Sequence, residues 1–494
     1  MNALLPQLNR AFKPVEEFGT EGRYSLLPFN FSPADSQTRD WYVVANLCGD
    51  YAVITRTDLE RLVDGRLDPN EDTYRLLRRK QILYDDLTRC TPTLLSAKYR
   101  TRAQQLANFT GLFMFVVTLR CNHVCPYCQV SRVSEDRDAF DMTEEMASRA
   151  VEFTFKTPSP SVKIEFQGGE TMLNFPLIQF IVERAKEENQ KWNKHLQFVI
   201  ATNLSVATGE MLDYCASEDI LISTSLDGPA DLHNSNRPKR GNNSYELTIE
   251  GIARAREKIG FHRVGALMTT TERSLGRVRD IVDTYVEHGF HSIFLRPLSP
   301  FGDAVKTRAF DKYDAQKWIE FYKEGVEYIL EINRGGYPLS EAYSSIILTK
   351  ILTNQATRFV NLQSPAGIGI AGIIFNYDGD VYASDEGRMA AERGDKTFRL
   401  GNVIANSYEE IMLSDNLLNP LVASLPEAAP MCSECAFLPY CGADPDYHHA
   451  TQRDFLGHKA FSGFCTKNTE VFRYLIGKIE AGGEDAEILR AWLR

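Results

Sequence analysis

Seven of the ten cysteines fall into two groups, and the first group has the spacing of a metal-binding loop. Cys121, Cys125 and Cys128 are arranged as C-x3-C-x2-C. Three thiolates on a short loop can ligate three irons of a four-iron cluster, which leaves the fourth iron open to a chelating ligand. Zinc is the alternative, because a zinc site takes nitrogen and sulfur ligands and His123 lies inside the loop. The loop therefore predicts a metal centre.

Two further polar segments follow apolar runs downstream of this loop. In Gln167-Gly168-Gly169-Glu170 the glycines let the backbone approach a ligand closely, and the Glu170 carboxylate can accept from an ammonium. In the later segment, the guanidinium fork of Arg237 suits a carboxylate, and the Ser225 hydroxyl can bond another hydroxyl. His233, between them, is interpreted as a structural hydrogen-bond partner. Both segments are candidate parts of a ligand site.

The second cysteine group consists of Cys432, Cys435, Cys441 and Cys465. Four thiolates can ligate a cluster completely, which fits electron transfer or a structural role. Zinc remains a competing interpretation, because C-x2-C with two later cysteines is also a zinc pattern. The three isolated cysteines are interpreted as small apolar residues: Cys48, Cys90 and Cys215.

Six apolar runs that alternate with helical stretches would position the first loop and the two polar segments. The runs are Gly111–Leu119, Val162–Phe166, Gln197–Thr202, Ile220–Ser225, Val264–Thr269 and Ser292–Leu295. Alternation of this kind predicts a parallel α/β barrel or open sheet, in which active groups gather at the C-terminal ends of the strands.

The three motifs of the barrel region resemble, in order and spacing, the signature of the radical S-adenosylmethionine (SAM) superfamily. The resemblance implies a [4Fe-4S] cluster on Cys121, Cys125 and Cys128, and a partial (β/α)6 TIM-like radical SAM barrel. It also implies contacts to SAM from the aromatic residue before the third cysteine, the GGE motif and the SxDGPxxxHxxxR stretch. The implied SAM-binding residues are Tyr127, Gln167, Gly168, Gly169, Glu170, Ser225 and Arg237.

The second cysteine group resembles a C-terminal SPASM domain, in which C-x2-C-x5-C and one later cysteine hold an auxiliary four-iron cluster. Pro365, Ser384 and Pro445 stand near or at positions where the family places the cysteines of a companion cluster. We therefore expect one auxiliary [4Fe-4S] cluster. Asp385 matches an aspartate that serves as the base in formylglycine-forming relatives, and a solvated turn aspartate is the alternative.

The predicted domain order places the barrel between two smaller units. A peptide-recognition-like N-terminal α+β unit, a candidate for leader-peptide binding, spans 1–105, and the radical SAM partial barrel spans 106–305. A helical bridge follows over 306–360, then a SPASM-like iron–sulfur domain over 361–480 and a C-terminal helix over 481–494. In the N-terminal unit, the β-prone runs Trp41–Asn46 and Tyr51–Arg56 predict a hairpin.

Composition excludes several classes of protein and partner. With 43% hydrophobic and 24% charged residues, the chain reads as ordinary globular. Its formal net charge of −11 makes nucleic acid an unexpected partner. No window has the apolar length of a membrane span, and the first residues lack the pattern of a secretion signal. The expected location is therefore the cytoplasm.

The N-terminal segment Leu26–Phe31 and the stretch Tyr382–Met389 resemble maturases of His-Xaa-Ser-type peptide systems. This narrower resemblance implies an oxidoreductase that modifies a ribosomally made precursor peptide by a side-chain carbon–carbon crosslink of cyclophane type. A 5′-deoxyadenosyl radical would begin the reaction, flavodoxin or ferredoxin would supply electrons, and a second radical SAM maturase is a further candidate partner. Formylglycine or thioether formation, and a non-catalytic iron–sulfur or zinc regulator, are the alternatives.

Overall fold

The computed structural model describes residues 24–35, 37–128, 137–306, 310, 313–353 and 355–493. The chain divides into two compact units. The smaller unit extends to Arg102 and includes the short stretch Glu434–Pro439, and the larger unit comprises Ala103–Ser433 and Tyr440–Arg494. The predicted barrel, bridge and SPASM-like regions thus lie in one unit, except for that short stretch.

Among its described residues, the smaller unit contains five strands and three α-helices. The strands are β1 (Ser25–Leu26), β2 (Phe29–Pro33), β3 (Trp41–Asn46), β4 (Tyr51–Thr55) and β5 (Leu83–Tyr84). The helices are α1 (Arg56–Val63), α2 (Asp72–Arg79) and α3 (Thr91–Ala103). The predicted hairpin is confirmed, because β3 and β4 pair antiparallel in a three-stranded sheet of order β2-β3-β4. Side chains from this sheet and from α1 and α2 form its apolar core, including Val44, Ile54, Leu62, Tyr74 and Leu77.

The larger unit is built on an eight-stranded mixed sheet of order β10-β9-β8-β7-β6-β13-β14-β15. Its strands in chain order are β6 (Leu112–Thr118), β7 (Ser161–Gly168), β8 (His195–Thr202), β9 (Leu221–Ser225), β10 (Val264–Leu267), β11 (Ser292–Ile293), β12 (Ser340–Glu341), β13 (Gly372–Phe375), β14 (Asp380–Tyr382) and β15 (Arg399–Asn402). The five strands from β6 to β10 pair in parallel, each with the next along the chain. Their C-terminal ends therefore meet at one edge.

Two features of this sheet differ from the six-strand expectation. The sixth run, β11, pairs with β12 instead of joining the main ladder. On the other side, β6 pairs in parallel with β13 from the C-terminal region. The β6 residues are buried almost throughout, so both faces and both edges of this strand are covered by protein. The C-terminal region thus extends the barrel sheet itself.

Sixteen helices are described in the larger unit, within the residue ranges given above. They are α4 (Arg137–Phe140), α5 (Glu144–Phe155), α6 (Phe175–Trp192), α7 (Gly209–Ser217), α8 (Ala230–Asn236), α9 (Ser244–Ile259), α10 (Val278–Glu287), α11 (Asp303–Lys306), α12 (Ala315–Arg334), α13 (Ala342–Leu352), α14 (Asp385–Ala391), α15 (Tyr408–Met412), α16 (Asp415–Ala423), α17 (Pro445–Gln452), α18 (Gly463–Ala481) and α19 (Gly483–Ala491).

Helices between the parallel strands pack in pairs, α5 against α6 and α7 against α9, and α10, which follows β10, packs against α12. Local sequence explains where some of them begin. Thr143 caps α5 by accepting a hydrogen bond from the Met146 backbone N–H. Among the described residues, no helix combines the length and the apolar character needed to cross a membrane.

Candidate active site

The C-terminal ends of the parallel strands line a pocket that also receives the first cysteine loop. Cys121, Cys125 and Cys128 all line this pocket, because the loop begins where β6 ends. The backbone N–H of Val124, at the centre of the loop, donates to the Pro238 carbonyl oxygen at 2.8 Å. The loop is thereby tied to the segment that follows α8.

The three thiols share one environment. Burial raises the pKa of the Cys125 thiol, and the neighbouring Cys128 and Cys121 sulfurs raise it further. Within the described parts of the chain, no group of three or more His, Cys, Asp or Glu side chains could hold a single metal ion. A four-iron cluster does not require that arrangement, because each thiolate binds a different iron.

The paired glycines at the end of β7 are required by backbone packing. A Cβ on Gly169 would lie 2.3 Å from the Arg120 carbonyl oxygen, and one on Gly168 would lie 2.3 Å from the Thr118 carbonyl oxygen. Both separations are far below van der Waals contact, so no side chain fits at either position. Gly168, Gly169 and Gln167 also line the pocket. The glycines thus let the strand end pack against the segment that leads into the cysteine loop.

Glu170 is placed differently from the other residues of its motif. It is only 1% exposed and does not line the pocket. Its carboxylate accepts from the Thr202 hydroxyl at 2.6 Å and from the Asn203 backbone N–H at 2.8 Å. Burial raises the pKa of Glu170, while these hydrogen bonds lower it. The carboxylate links the ends of β7 and β8, and its predicted contact with an ammonium stays a prediction.

A buried ion pair joins the ends of β9 and α8. The Arg237 guanidinium donates to both oxygens of Asp227, at 3.0 and 3.1 Å, and Asp227 is fully buried. The Tyr127 hydroxyl donates to the same carboxylate at 2.5 Å. Burial alone would lower the pKa of Arg237, but the Asp227 charge raises it above its ordinary value. Arg237 and Tyr127 line the pocket, with the Arg237 charge balanced by Asp227.

Two buried histidines stand beside this ion pair. The His233 Nδ1 accepts from the Asp227 backbone N–H at 3.2 Å, which confirms the interpretation of His233 as a hydrogen-bond partner. His123 lies in the cysteine loop, and its Nδ1 is 2.8 Å from the Asn122 side-chain oxygen. Burial lowers the pKa of His123 to about 4 and that of His233 to about 3. Both rings are therefore neutral at pH 7.

Helix α14 brings a carboxylate to the pocket from the C-terminal region. Asp385, its first residue, lines the pocket together with Met389, one turn further on. The Asp385 Oδ1 accepts from the Nε of the buried Arg388 at 3.2 Å. Burial and then the Asp385 charge raise the pKa of the neighbouring Glu386 to about 7. Two carboxyl groups in different environments are thus found here: Asp385 lines the pocket, and Glu386 is its neighbour in α14.

The second cysteine group is divided between the two units. Cys432, Cys441 and Cys465 belong to the larger unit, and Cys435 belongs to the smaller one. Within the larger unit, the charges of Cys432, Cys465 and Cys441 act on the buried Lys459, although burial has the larger effect and lowers the pKa of Lys459. The Cys465 backbone N–H donates to Ser462, the N-cap of α18. The auxiliary cluster stays a prediction.

The pocket residues that were not predicted from the sequence include three polar ones that could bind a ligand: Asn203, Thr224 and Arg296. Asn203 directly follows β8, so its position after an apolar run was an available signal. The Thr224 hydroxyl is buried without a hydrogen-bond partner in the described chain. The Arg296 side chain makes no ion pair with any described residue, in contrast to Arg237. Only the folded chain identifies Arg296 as a cation available to a ligand.

The residues of the pocket fit the groups that the sequence predicts there. Three thiols suit an iron–sulfur cluster. The unpartnered Thr224 hydroxyl, the Ser225 side chain and the Arg296 guanidinium suit the hydroxyls and carboxylate of a polar ligand such as SAM. Cys121, Cys125 and Cys128 are the residues that would hold the cluster.

Comparisons with known proteins agree with this geometry. A family model described as the Radical SAM superfamily matches residues 115–284. The Cysteine-type anaerobic sulfatase-maturating enzyme of Clostridium perfringens is 23% identical over 366 residues, which cover 73% of this chain and 94% of that protein. Uncharacterized protein MJ0907 of Methanocaldococcus jannaschii is 28% identical over 186 residues, 37% of this chain and 61% of that protein. This chain therefore matches less than two thirds of the length of that relative.

A solved structure of native anSMEcpe with bound AdoMet and Cp18Cys peptide superposes with a TM-score of 0.61 at 16% identity, covering 77% of this chain and 99% of that one. At this identity the likeness shows the fold, which is the radical SAM α/β fold with a mixed sheet. Residues 115–284 of the barrel region match the Radical SAM superfamily model, so this region carries a radical SAM domain. The expected fold class and enzyme class are thereby confirmed.

Proposed function

We propose that this protein modifies a ribosomally made precursor peptide by SAM-dependent radical chemistry, and that the product is a side-chain carbon–carbon crosslink. The observation that carries the proposal is the pocket, where the three thiols of the cysteine loop meet Ser225 at the end of β9 and Asp385 from α14. Similarity to a sulfatase-maturating enzyme, whose name states action on another protein, supports a peptide substrate.

The chain's own residues have separable tasks in this reaction. A reduced cluster, when bound, supplies the electron that cleaves SAM into methionine and a 5′-deoxyadenosyl radical. Gln167 and Ser225 orient SAM through hydrogen bonds, and Arg296 offers a charge to a carboxylate of SAM or of the peptide. The strand ends and the Tyr127 ring limit access of water to the radical.

Crosslink formation removes two hydrogens from the peptide. One leaves as an atom to the 5′-deoxyadenosyl radical, giving 5′-deoxyadenosine. After the carbon radical has bonded to the second side chain, the other leaves as a proton and an electron. Asp385 is the proposed proton acceptor because it lines the pocket. An auxiliary iron–sulfur cluster, with Cys432, Cys435, Cys441 and Cys465 as its predicted ligands, would supply the electron acceptor.

The proposal is tested by assaying the anaerobically reconstituted protein for 5′-deoxyadenosine with SAM and dithionite. We expect about eight irons per chain, four for each of two clusters, and 5′-deoxyadenosine above background. Short peptides encoded beside the gene then serve as substrates, and a crosslink appears as loss of two hydrogens with suppressed backbone fragmentation between the joined residues. Iron-loaded protein that forms no 5′-deoxyadenosine, with or without these peptides, would contradict the proposal.

Formylglycine formation is the second candidate, favoured by the similarity to a sulfatase-maturating enzyme over 73% of this chain. It also requires a proton acceptor beside the radical, so Asp385 would have the same task. The two products are separated by mass spectrometry after treatment with a hydrazide, which labels the aldehyde of formylglycine and leaves a carbon–carbon crosslink unlabelled.

Replacing Asp385 with asparagine is expected to separate SAM cleavage from peptide modification. Asp385→Asn keeps the size of the side chain but removes the base, so modified peptide should fall about a hundredfold. Production of 5′-deoxyadenosine should stay within about twofold, because SAM cleavage is proposed to depend on the thiols of the cysteine loop and not on the Asp385 carboxylate. Liquid chromatography with mass spectrometry measures both products in one reaction.

The matched control is Asp415→Asn. Asp415 is the first residue of α16, as Asp385 is the first residue of α14, but Asp415 is exposed and does not line the pocket. The control should behave as the wild type in both assays. Unchanged peptide modification by Asp385→Asn would exclude Asp385 as the proton acceptor and direct attention to Glu386.

The smaller unit is the proposed site for the leader segment of the precursor. Strand β4 is an edge of its sheet, and the groove beside it is lined by Trp41 and Val53 and by Arg75, Leu76 and Arg79 of α2. Trp41 is 51% exposed. An extended peptide can add a strand to such an edge, with its side chains in the groove. Asp58 and Asp72 also line the groove, and Arg75 and Arg78 pair with Asp72 and Asp85, so Arg79 is the α2 arginine proposed to bind an acidic segment.

Reversing one charge tests this groove. We expect Arg79→Glu to raise the Kd of a fluorescein-labelled candidate leader peptide about tenfold, because an unfavourable charge is placed beside an acidic ligand. Fluorescence anisotropy gives the Kd. Arg66→Glu, at an exposed arginine of the same unit outside the groove, is the control and should bind as the wild type. Equal affinity in the two variants would exclude this groove as the binding surface.

A further inference from the structure

A single serine hydroxyl joins the cysteine loop to the segment after β9. Ser244 is the first residue of α9 and is 1% exposed. Its Oγ lies 2.8 Å from the His123 Nε2 and 3.2 Å from the His233 Nε2. One histidine belongs to the cysteine loop and the other to α8, so the hydroxyl stands between two segments that are 110 residues apart in sequence.

The direction of the His233 hydrogen bonds follows from the fixed donor at one end. The Asp227 backbone N–H can only donate, so the His233 Nδ1 accepts and the neutral ring carries its hydrogen on Nε2. That hydrogen is donated to the Ser244 oxygen, which also bonds the His123 Nε2. The His123 Nδ1 lies 2.8 Å from the Asn122 side-chain oxygen and 3.0 Å from the Asn203 amide nitrogen, so either tautomer of His123 has partners, and the Ser244 hydroxyl can donate to its Nε2 or accept from it. Each ring nitrogen of His123 and His233 therefore has a hydrogen-bond partner.

These hydrogen bonds, together with one from Tyr127, attach the cysteine loop at two points. Asp227, at one end of the hydrogen-bond chain, also accepts from the Tyr127 hydroxyl at the other end of the loop. The loop between His123 and Tyr127 is therefore attached at both ends to the segment from Asp227 to Ser244. These attachments determine how the thiols stand relative to Ser225, because Ser225 precedes Asp227 by two residues.

We propose that Ser244 is a positioning residue that holds the cysteine loop in register with the SAM-binding segment after β9. The inference rests on the proposed SAM-dependent function and assigns to Ser244 no contact with SAM. Serine suits this position because its hydroxyl accepts from the His233 ring and can donate to the His123 ring or accept from it, which an apolar side chain cannot do.

The first test measures SAM binding and the cluster's electronic state in Ser244→Ala. The substitution leaves the His233 Nε2–H without its acceptor and removes the Ser244 hydrogen bond of the His123 Nε2, so both rings can turn. We expect the Kd for SAM, measured by equilibrium dialysis with labelled SAM, to rise about tenfold. The electron paramagnetic resonance spectrum of the reduced cluster should shift less on SAM addition than in the wild type.

Conservative replacement and a matched control separate positioning from folding. Ser244→Thr keeps the hydroxyl and should restore both the Kd and the SAM-induced spectral shift. Ser424→Ala is the control, because Ser424 is equally buried and its hydroxyl donates to a backbone oxygen within α16. The control should leave both measurements unchanged.

Several outcomes would overturn the inference. One is a Ser244→Ala variant whose Kd for SAM and SAM-induced spectral shift equal those of the wild type. Another is a folded, iron-loaded Ser244→Thr variant that binds SAM as weakly as the alanine variant. If Ser244→Ala does not retain iron, Ser244→Cys takes its place, since a thiol is a weaker hydrogen-bonding group of similar size. It should show a smaller rise in Kd, and a wild-type Kd there would also overturn the inference.

These measurements are independent of turnover. Wild-type protein that neither binds nor cleaves SAM would contradict the proposed function itself. Wild-type protein that binds SAM, together with a Ser244→Ala variant that binds it equally well, would contradict only the role of Ser244.

Discussion

Replacement of Cys128 by alanine is expected to abolish formation of 5′-deoxyadenosine. Cys128 is the last thiol of the loop, and it lines the same pocket as Cys121 and Cys125. A cluster with one open iron needs all three thiolates, so Cys128→Ala should lose the iron of that cluster while keeping the fold. Removing a group that only orients a metal ligand typically lowers metal affinity or activity about 10- to 100-fold. Removing a ligand itself should therefore lower 5′-deoxyadenosine formation by more than about a hundredfold.

The measurement is 5′-deoxyadenosine formed by reconstituted protein with SAM and dithionite, normalised to protein and paired with iron analysis. Cys215→Ala is the matched control, because Cys215 is fully buried in α7 and lies outside the pocket. It should retain both iron and activity. A Cys128→Ala variant that keeps SAM cleavage would show that the cleaving centre lies elsewhere in the protein.

Replacement of Asp227 by asparagine is expected to have the largest effect on local stability. Asp227 is fully buried, and its carboxylate balances the Arg237 guanidinium, whose side chain is 14% exposed. Asp227→Asn leaves that cation in a poorly solvated place without its counter-charge. Breaking one partner of a buried pair costs about 3 kcal/mol or more. Amide exchange in β9 and α8 should therefore be about a hundredfold faster.

Hydrogen exchange followed by mass spectrometry measures this effect segment by segment, with wild type and variant compared at equal iron content. Asp213→Asn is the control, because its ion pair with Lys258 is exposed to solvent, and it should change exchange in β9 very little. The variant should also bind SAM weakly, since Tyr127 and Arg237 both depend on Asp227 for their positions. Unchanged exchange in β9 would contradict the energetic role of this ion pair.

The parallel strands could be predicted from local patterns. The apolar runs that became β6 to β10 are continuous enough to mark strands covered on both faces, and each lies within a few residues of its predicted bounds. The prediction that the sixth run joins this sheet was wrong. Only two of its residues form a strand, β11, and that strand pairs with β12. A short apolar run does not specify which strand it will pair with.

The roles of individual motif residues were harder to predict. Arg237 has the right type and spacing for a ligand carboxylate, yet its charge is balanced by Asp227, ten residues earlier. Arg296 follows the sixth run without any motif, and it is the pocket arginine that has no ion pair within the described residues. Charge balance depends on which side chains meet after folding, so residue type alone could not separate these two arginines.

The sequence by itself determined the chemistry that the protein can carry out: thiol spacing on the cysteine loop follows from covalent connectivity, and so does the position of that loop directly after β6. Tertiary structure decided how this chemistry is enclosed. It brought Asp385 from α14 to the pocket, paired β13 with β6, and placed the Ser244 hydroxyl between two histidines. These contacts join residues far apart in the chain, and they form only when burial of apolar strands brings distant segments together.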